Sequence, residues 1–158
     1  MNFLYFNANL CNALLYITLE TLRKYPIVGQ LNRQAMNDYV VPGHPKYVIK
    51  KNMPVLIPVL GLHHDPEFYP NPQEFDPERF APEVNKQRDP MEYLPFGDGP
   101  RNCIGERFGK MQSRLGLAYL VKNFRFSPCS KTEIPITLDP KSVTYSPKNI
   151  VYLNVEAM

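Results

Sequence analysis

The chain has little of what usually staples, anchors or recruits a short protein. Its three cysteines, Cys11, Cys103 and Cys129, are odd in number and far apart, with no C-x-x-C pair. That excludes a disulfide framework and a zinc site and fits a reducing compartment. Net charge is only +3 and scattered, too weak to bind nucleic acid, although a local basic patch stays open. No apolar run is long enough to span a bilayer, and no basic N-terminal segment precedes an apolar core, so neither anchor nor signal is visible. Internal repeats and low-complexity tracts are lacking as well.

What is present is a globular composition interrupted by proline. Hydrophobic residues make up 44% and charged residues 21% of 158, a length that suits one domain core at most. The 17 prolines are about twice the usual share, so turns and extended loops must break up regular structure. Residues 10–24 are expected to form a buried helix ended by Pro26, apolar at Leu10, Leu14 and Ile17 and again at Leu15, Leu19 and Leu22. Glu20 and Arg23 stand one turn apart on it. Buried there, an unpaired charge costs several kcal/mol, so the two should pair with each other and with further partners. Read alone, E-x-x-R is equally an ordinary surface ion pair.

Tyr39-Val40-Val41 and Tyr47-Val48-Ile49 read as a hairpin about Pro42-Gly43, and Val55-Leu56-Ile57 as a short apolar piece between prolines. His63 and His64 are adjacent, so their side chains point apart, and no second cluster has metal-ligand spacing. Proline recurs from Asp65 to Pro95, which predicts a packed but irregular segment. In the tail, 124–126, 134–138 and 150–155 are strand-like and are expected to pair as a small sheet.

The most informative stretch is Pro95-Phe96-Gly97-Asp98-Gly99-Pro100-Arg101-Asn102-Cys103-Ile104-Gly105-Glu106-Arg107-Phe108-Gly109. It reads as a glycine-rich loop that brings one cysteine to the start of a helix, where unpaired N–H groups and the helix dipole favour a thiolate, a soft ligand for iron. Gly97 and Gly99 allow the loop to turn, and Gly105 and Gly109, four apart, clear one helix face for something flat. Each glycine inside a helix costs roughly 1 kcal/mol against alanine, which suggests a reason other than helix stability. Arg101 is placed to pair with an anionic group on whatever the sulfur holds. Ile104, Phe108, Met111, Leu115 and Ala118 mark the expected core-facing stripe of the following helix, with Arg107, Lys110 and Arg114 on its other side. Taken alone, Cys103 reads as a reduced core cysteine.

The order Phe96, Gly99, Arg101, Cys103, Gly105 resembles, position for position, the haem-binding loop of the cytochrome P450 superfamily. The resemblance implies that Cys103 is the axial thiolate of haem iron, that Arg101 binds a haem propionate, and that Phe96 packs beside the sulfur, with Gly105 in the same cradle. It implies a lock of Glu20 and Arg23 with Arg79, from Pro77-Glu78-Arg79-Phe80. Arg33 matches a second propionate-binding arginine, or is a solvated loop residue. His63 matches a position that bonds a propionate or nearby backbone, or serves as a cap or turn. Residues 27–30 and 142–145 correspond to pocket-lining segments that touch substrate. His63 to Phe80, and Arg23 to Ile27, resemble insect microsomal members in particular.

The implied fold class is mainly α with small β-sheets (α+β), the haem-proximal C-terminal portion of the cytochrome P450 fold, with residues 15–158 an incomplete domain and 1–14 unmatched. The implied activity is a haem-thiolate monooxygenase that inserts one oxygen atom from O2 into an apolar small molecule, using electrons from NADPH through a reductase flavoprotein. The basic side of the last helix is a solvated face or, on the proximal side of a haem protein, a docking face for that acidic donor. The implied location is the cytosolic face of the endoplasmic reticulum membrane, through an anchor not found in these residues. None of the eight glycines has threonine three residues on, so the family's oxygen-activating Gly-x-x-Thr is absent and no catalytic residue is assigned here. The alternative is a truncated, non-catalytic haem-binding remnant or an incomplete gene model, with one haem face and apolar helix stripes left open to solvent.

Overall fold

Helix α1, Ala8–Lys24, carries the molecule's most deeply buried charges. The structure, a computed structural model, describes residues 8–158, with side chains from Asn12 onward. The expectations for Leu10 and Cys11 therefore lie outside the described residues. Leu14 and Thr18 are buried on α1 as periodicity suggests, yet Ile17 is exposed and Leu15, Leu19 and Leu22 are only half-buried. Glu20 and Arg23 are both 0% exposed. Tyr25 N–H still donates to Thr21 C=O at 2.8 Å. Buried Pro26 then ends the helix, because proline disfavours the helical conformation of the residue before it.

Burial of Arg23 is met by a full set of acceptors. Its Nε and Nη2 donate to Glu20 Oε2 and Oε1 at 2.7 and 2.8 Å, a two-point pairing that matches guanidinium to carboxylate. Nη1 donates to His63 C=O at 2.8 Å, and Nη2 to Pro72 and Glu74 C=O at 2.9 and 3.2 Å. Glu20 Oε1 also accepts from Asp76 N–H at 3.0 Å. Arg79 Nε lies 3.8 Å from the same oxygen while its Nη2 donates to Asn71 C=O at 3.1 Å. One buried ion pair thus ties down backbone from 63 to 76, which has hardly any regular structure to do so itself.

After α1 come three small antiparallel pairs. Strand β1, Leu31–Gln34, pairs with β4, Pro54–Ile57, in the register Leu31 to Ile57. Between them β2, Tyr39–Val40, and β3, Val48–Ile49, form the expected hairpin. The pairing of β1 was not expected, since Leu-Asn-Arg-Gln has little strand character and is fixed by its partner. Helix α2, Val59–His63, follows. The proline-rich segment is irregular and packed: 3₁₀ turns at Pro77–Phe80 and Pro90–Glu92 flank α3, Pro82–Asn85, while Tyr69, Phe80 and Leu94 are buried. The Tyr69 ring lies between the guanidinium groups of Arg23 and Arg88, at 5.2 and 5.0 Å, and Arg88 also covers Phe80 at 4.7 Å.

Helix α4, Glu106–Asn123, packs beside α1, but the expected stripe is not its core face. Only Ala118 is buried; Ile104 is fully exposed, and Phe108, Met111 and Leu115 are exposed too. In the tail β5, Phe124–Pro128, pairs with β6, Leu153–Ala157. Residues 134–138 do not join that sheet and contribute a single bridge, Leu138 to Pro147. The architecture is mainly α with small sheets, and among the described residues no helix is long and apolar enough to cross a membrane.

Arg23→Lys keeps the charge but loses the planar fork, leaving several of these oxygens without donors. Equilibrium denaturation should show a loss of about 3 to 5 kcal/mol, the usual cost of breaking a buried pair, and Glu20→Gln should lose a similar amount. An Arg23→Lys protein within about 1 kcal/mol of the parent would mean that the network is not the main support.

Candidate functional site: an exposed thiol on a braced loop

The loop from Leu94 to Gly105 is built from short bonds and two left-handed glycines. Gly97 N–H donates to Leu94 C=O at 3.1 Å, Asn102 N–H to Gly99 C=O at 3.1 Å, and Cys103 N–H to Phe96 C=O at 2.9 Å. Gly97 and Gly99 have φ of +71° and +75°, where a side chain is strained. A Cβ on Gly97 would also come 3.5 Å from both Arg33 Nη2 and Leu31 Cδ1, so β1 packs directly against the loop at this glycine. Arg101 stands exposed in the 3₁₀ turn Gly99–Arg101.

Cys103 is exposed and reduced. It lies three residues before α4 begins at Glu106, with Gly105 as the cap, so the loop presents it ahead of the helix rather than in its first turn. A Cβ on Gly105 would meet only Cys103 Sγ, at 3.9 Å, and one on Gly109 would meet nothing within 4 Å. The face beside the sulfur is therefore open, as two glycines one turn apart require. Phe96 is half-buried beneath Lys110, whose Nζ lies 5.2 Å from the ring and 2.6 Å from Glu106 Oε1. Arg114 turns back to donate to Lys110 C=O at 3.0 Å. Of the three basic residues on this side of α4, Arg107 is exposed while Lys110 and Arg114 are half-buried.

Arg33 sits half-buried on β1, with Nη1 donating to Asn32 C=O at 3.0 Å and Nη2 beside Gly97, so it is not the solvated loop residue of the alternative reading. His63 is fully buried, and backbone engages both of its ring nitrogens: Leu94 N–H donates to Nε2 at 3.0 Å, so Nδ1 carries the proton and donates to Arg23 C=O at 3.2 Å. That leaves neither nitrogen for a propionate, and of the roles the resemblance allowed His63 it is the bond to backbone that the geometry takes. Burial pushes its pKa down to about 4; the Arg23 carbonyl opposes this and the Arg23 charge reinforces it.

Two open cavities lie among the elements described, and the first reaches the loop at Phe96. One, about 620 Å³ between α1 and α4, is lined by Thr18, Leu22, Ile27, Phe96, Gly109 and Gly116, among others. The other, about 630 Å³, brings Val28, Gly29 and Gln30 together with Ser142, Val143 and Tyr145. Tyr145 N–H donates to Ile27 C=O at 2.9 Å, so the two segments expected to line a pocket meet across one wall. An exposed thiol and a glycine-cleared face, with Arg101 exposed on the same loop and Arg33 beside Gly97, suit a flat, anionic macrocycle whose metal takes a thiolate ligand. Among the described residues no three of His, Cys, Asp and Glu gather around a common point. Sequence reasoning missed Leu94 and Asp76, which act through backbone N–H groups and leave no mark in side-chain identity.

The cytochrome P450 family model matches residues 14–154, so the chain belongs to the cytochrome P450 family. It is similar to cytochrome P450 6A1 of Musca domestica, 64% identical over 88% of this chain and 28% of that protein. It is similar also to cytochrome P450 6a8 and probable cytochrome P450 6a21 of Drosophila melanogaster, 56% and 54% identical over 88% and 89% of this chain and 28% of each relative. The chain thus spans just over a quarter of the length of these curated relatives.

The imidazole gives a pH test. A buried ring that protonates at about 4 folded and 6.5 unfolded stabilises the fold fully above pH 6.5, and the contribution is lost as pH falls from 6.5 to 4 because the unfolded chain takes up a proton first. The loss should reach about 3 kcal/mol, each pKa unit being worth about 1.4 kcal/mol. Urea midpoints followed from pH 7 to pH 4 should fall further for the parent than for His63→Gln, which has no imidazole to protonate. Parallel curves would assign the acid sensitivity to other groups.

Proposed function

We propose that this chain supplies the haem-proximal part of a haem-thiolate monooxygenase, which inserts one oxygen atom from O2 into an apolar small molecule with NADPH-derived electrons delivered by a reductase flavoprotein. The observation that carries this reading is the exposed sulfur of Cys103 on a loop braced from below by a buried ion network. The haem, when bound, supplies the redox and oxygen chemistry. The chain's own residues hold and orient it. Cys103 would ligate its iron, Arg101 and Arg33 would pair with its propionates, Gly105 would admit it close to the backbone, and Phe96 would pack beside the sulfur. Glu20, Arg23 and Arg79 keep that loop from shifting under its ligand. Ile27 to Gln30 and Ser142 to Tyr145 line the substrate side. By the same family reading, the complete protein works at the cytosolic face of the endoplasmic reticulum membrane.

A specific observation favours a second proposal, that the 158 residues alone do not turn over. The exposed row Ile104, Phe108, Met111 and Leu115 is wider than scattered surface apolar residues, and these residues contain no Gly-x-x-Thr for proton delivery. The chain by itself would then act as a haem-binding remnant.

In haem-loaded protein, Cys103→Ser should abolish the red-shifted carbon monoxide spectrum of thiolate-ligated ferrous haem, while Cys11→Ser and Cys129→Ser keep it. Retention of that spectrum in the Cys103 variant would remove the ligand assignment. Given reductase and NADPH, the 158 residues should be inactive and a fusion to the distal half of a close relative active; oxidation of substrate by the unfused chain would contradict the second proposal.

A further inference from the structure

The loop is entered through Glu92, Tyr93 and Leu94, and each is tied to a different element: Tyr69 Oη donates to Glu92 C=O at 3.0 Å, Tyr93 Oη to Leu19 C=O at 2.8 Å, and Leu94 N–H to His63 Nε2 at 3.0 Å. Pro95 has no N–H, so Leu94 carries the last backbone donor before Phe96. From Leu94 the bonds continue inward, its carbonyl accepting from Gly97 N–H and the Phe96 carbonyl from Cys103 N–H. On its other side His63 meets Arg23 twice, through ring Nδ1 on the Arg23 carbonyl and through its own carbonyl on Arg23 Nη1. The ring is stacked on Tyr93 at 5.3 Å and edged by Tyr69 at 6.3 Å, which fixes its plane.

We propose that His63 is the positioning residue of the cysteine loop: its imidazole, held as the Nδ1–H tautomer, transmits the geometry of the buried Glu20–Arg23 pair to Leu94 and so sets where Cys103 is presented. The rigid ring suits this task because it has a donor and an acceptor on opposite edges at a fixed separation. A hydrophobic residue of similar size would fill the space but leave Leu94 N–H and the Arg23 carbonyl buried without partners. Glutamine carries a donor and an acceptor on neighbouring atoms and can restore both bonds. The significance for ligation rests on Cys103 being the haem ligand; the hydrogen-bond relay itself does not.

The test uses the full protein loaded with haem in its diamagnetic ferrous carbon monoxide form, with three variants. In the parent, imidazole nitrogen NMR should report a protonated Nδ1 and an unprotonated, hydrogen-bonded Nε2; the opposite tautomer would overturn the proposal without any mutation. In His63→Leu, hydrogen exchange at the amides of Leu94, Gly97 and Cys103 should accelerate roughly tenfold or more relative to α1 amides, as expected for lost local bonds, and part of the thiolate-type carbon monoxide band should be lost. His63→Gln should return both readouts to within roughly threefold of the parent. Uniform acceleration across the chain, or acceleration at Leu94 alone with Cys103 unchanged, would reduce His63 to packing and overturn the proposal. If His63→Leu does not fold, His63→Gln decides, since a folded variant with Cys103 unprotected contradicts the relay. Cys103→Ser separates the two claims: it removes the band if Cys103 is the ligand, yet should leave the exchange pattern at Leu94 and Gly97 intact.

Discussion

A guanidinium group with no exposure to water constrains the whole molecule. Removing Arg23 from solvent costs several kcal/mol unless every donor finds an oxygen, and the chain meets that demand with one carboxylate and backbone carbonyls from three places downstream. Those carbonyls belong to a segment in which proline has removed many of the N–H groups that would otherwise build helix or sheet. The ion network takes over the role of secondary structure there. Tyr69 and Arg88 extend it as a stack of rings and guanidinium planes reaching Phe80 and Tyr93.

Such a foundation lets the opposite surface stay unfinished. The cysteine loop is fixed from below by backbone bonds and by two glycines in left-handed conformations, while the sulfur, Gly105 and Gly109 look onto open space. Rigid support under an uncovered face is what a bound planar group needs: a ligand atom held in place and no side chains to displace. One cavity gathers Ile27 with Phe96 and the other residues 28–30 with 142–145, although these segments are far apart in sequence.

Much of this was legible from residues alone, and the exceptions share a cause. Glu20 and Arg23 were readable because a charged pair inside a greasy helix must be paired, and Gly97 because its loop needed a turn no other residue makes. The α4 stripe was misread because periodicity reports that a helix has an apolar face, not what covers it; Ile104, Phe108, Met111 and Leu115 have core spacing and face outward here. Strand β1 was missed because its pattern is polar and its conformation comes from β4. Residues 134–138 have strand composition but find only one bridge. The role of His63 could not be read because its partners, Leu94 N–H and the Arg23 carbonyl, are main-chain groups identical at every position.

The proposed function requires Cys103 to serve as the iron ligand on a loop that cannot shift. Iron-edge X-ray absorption on haem-loaded protein in which Cys11 and Cys129 are both replaced by serine, so that Cys103 is the sole thiol, tests this most directly. One thiolate sulfur bound to the iron is expected; a first shell of nitrogen and oxygen alone would contradict the ligand assignment.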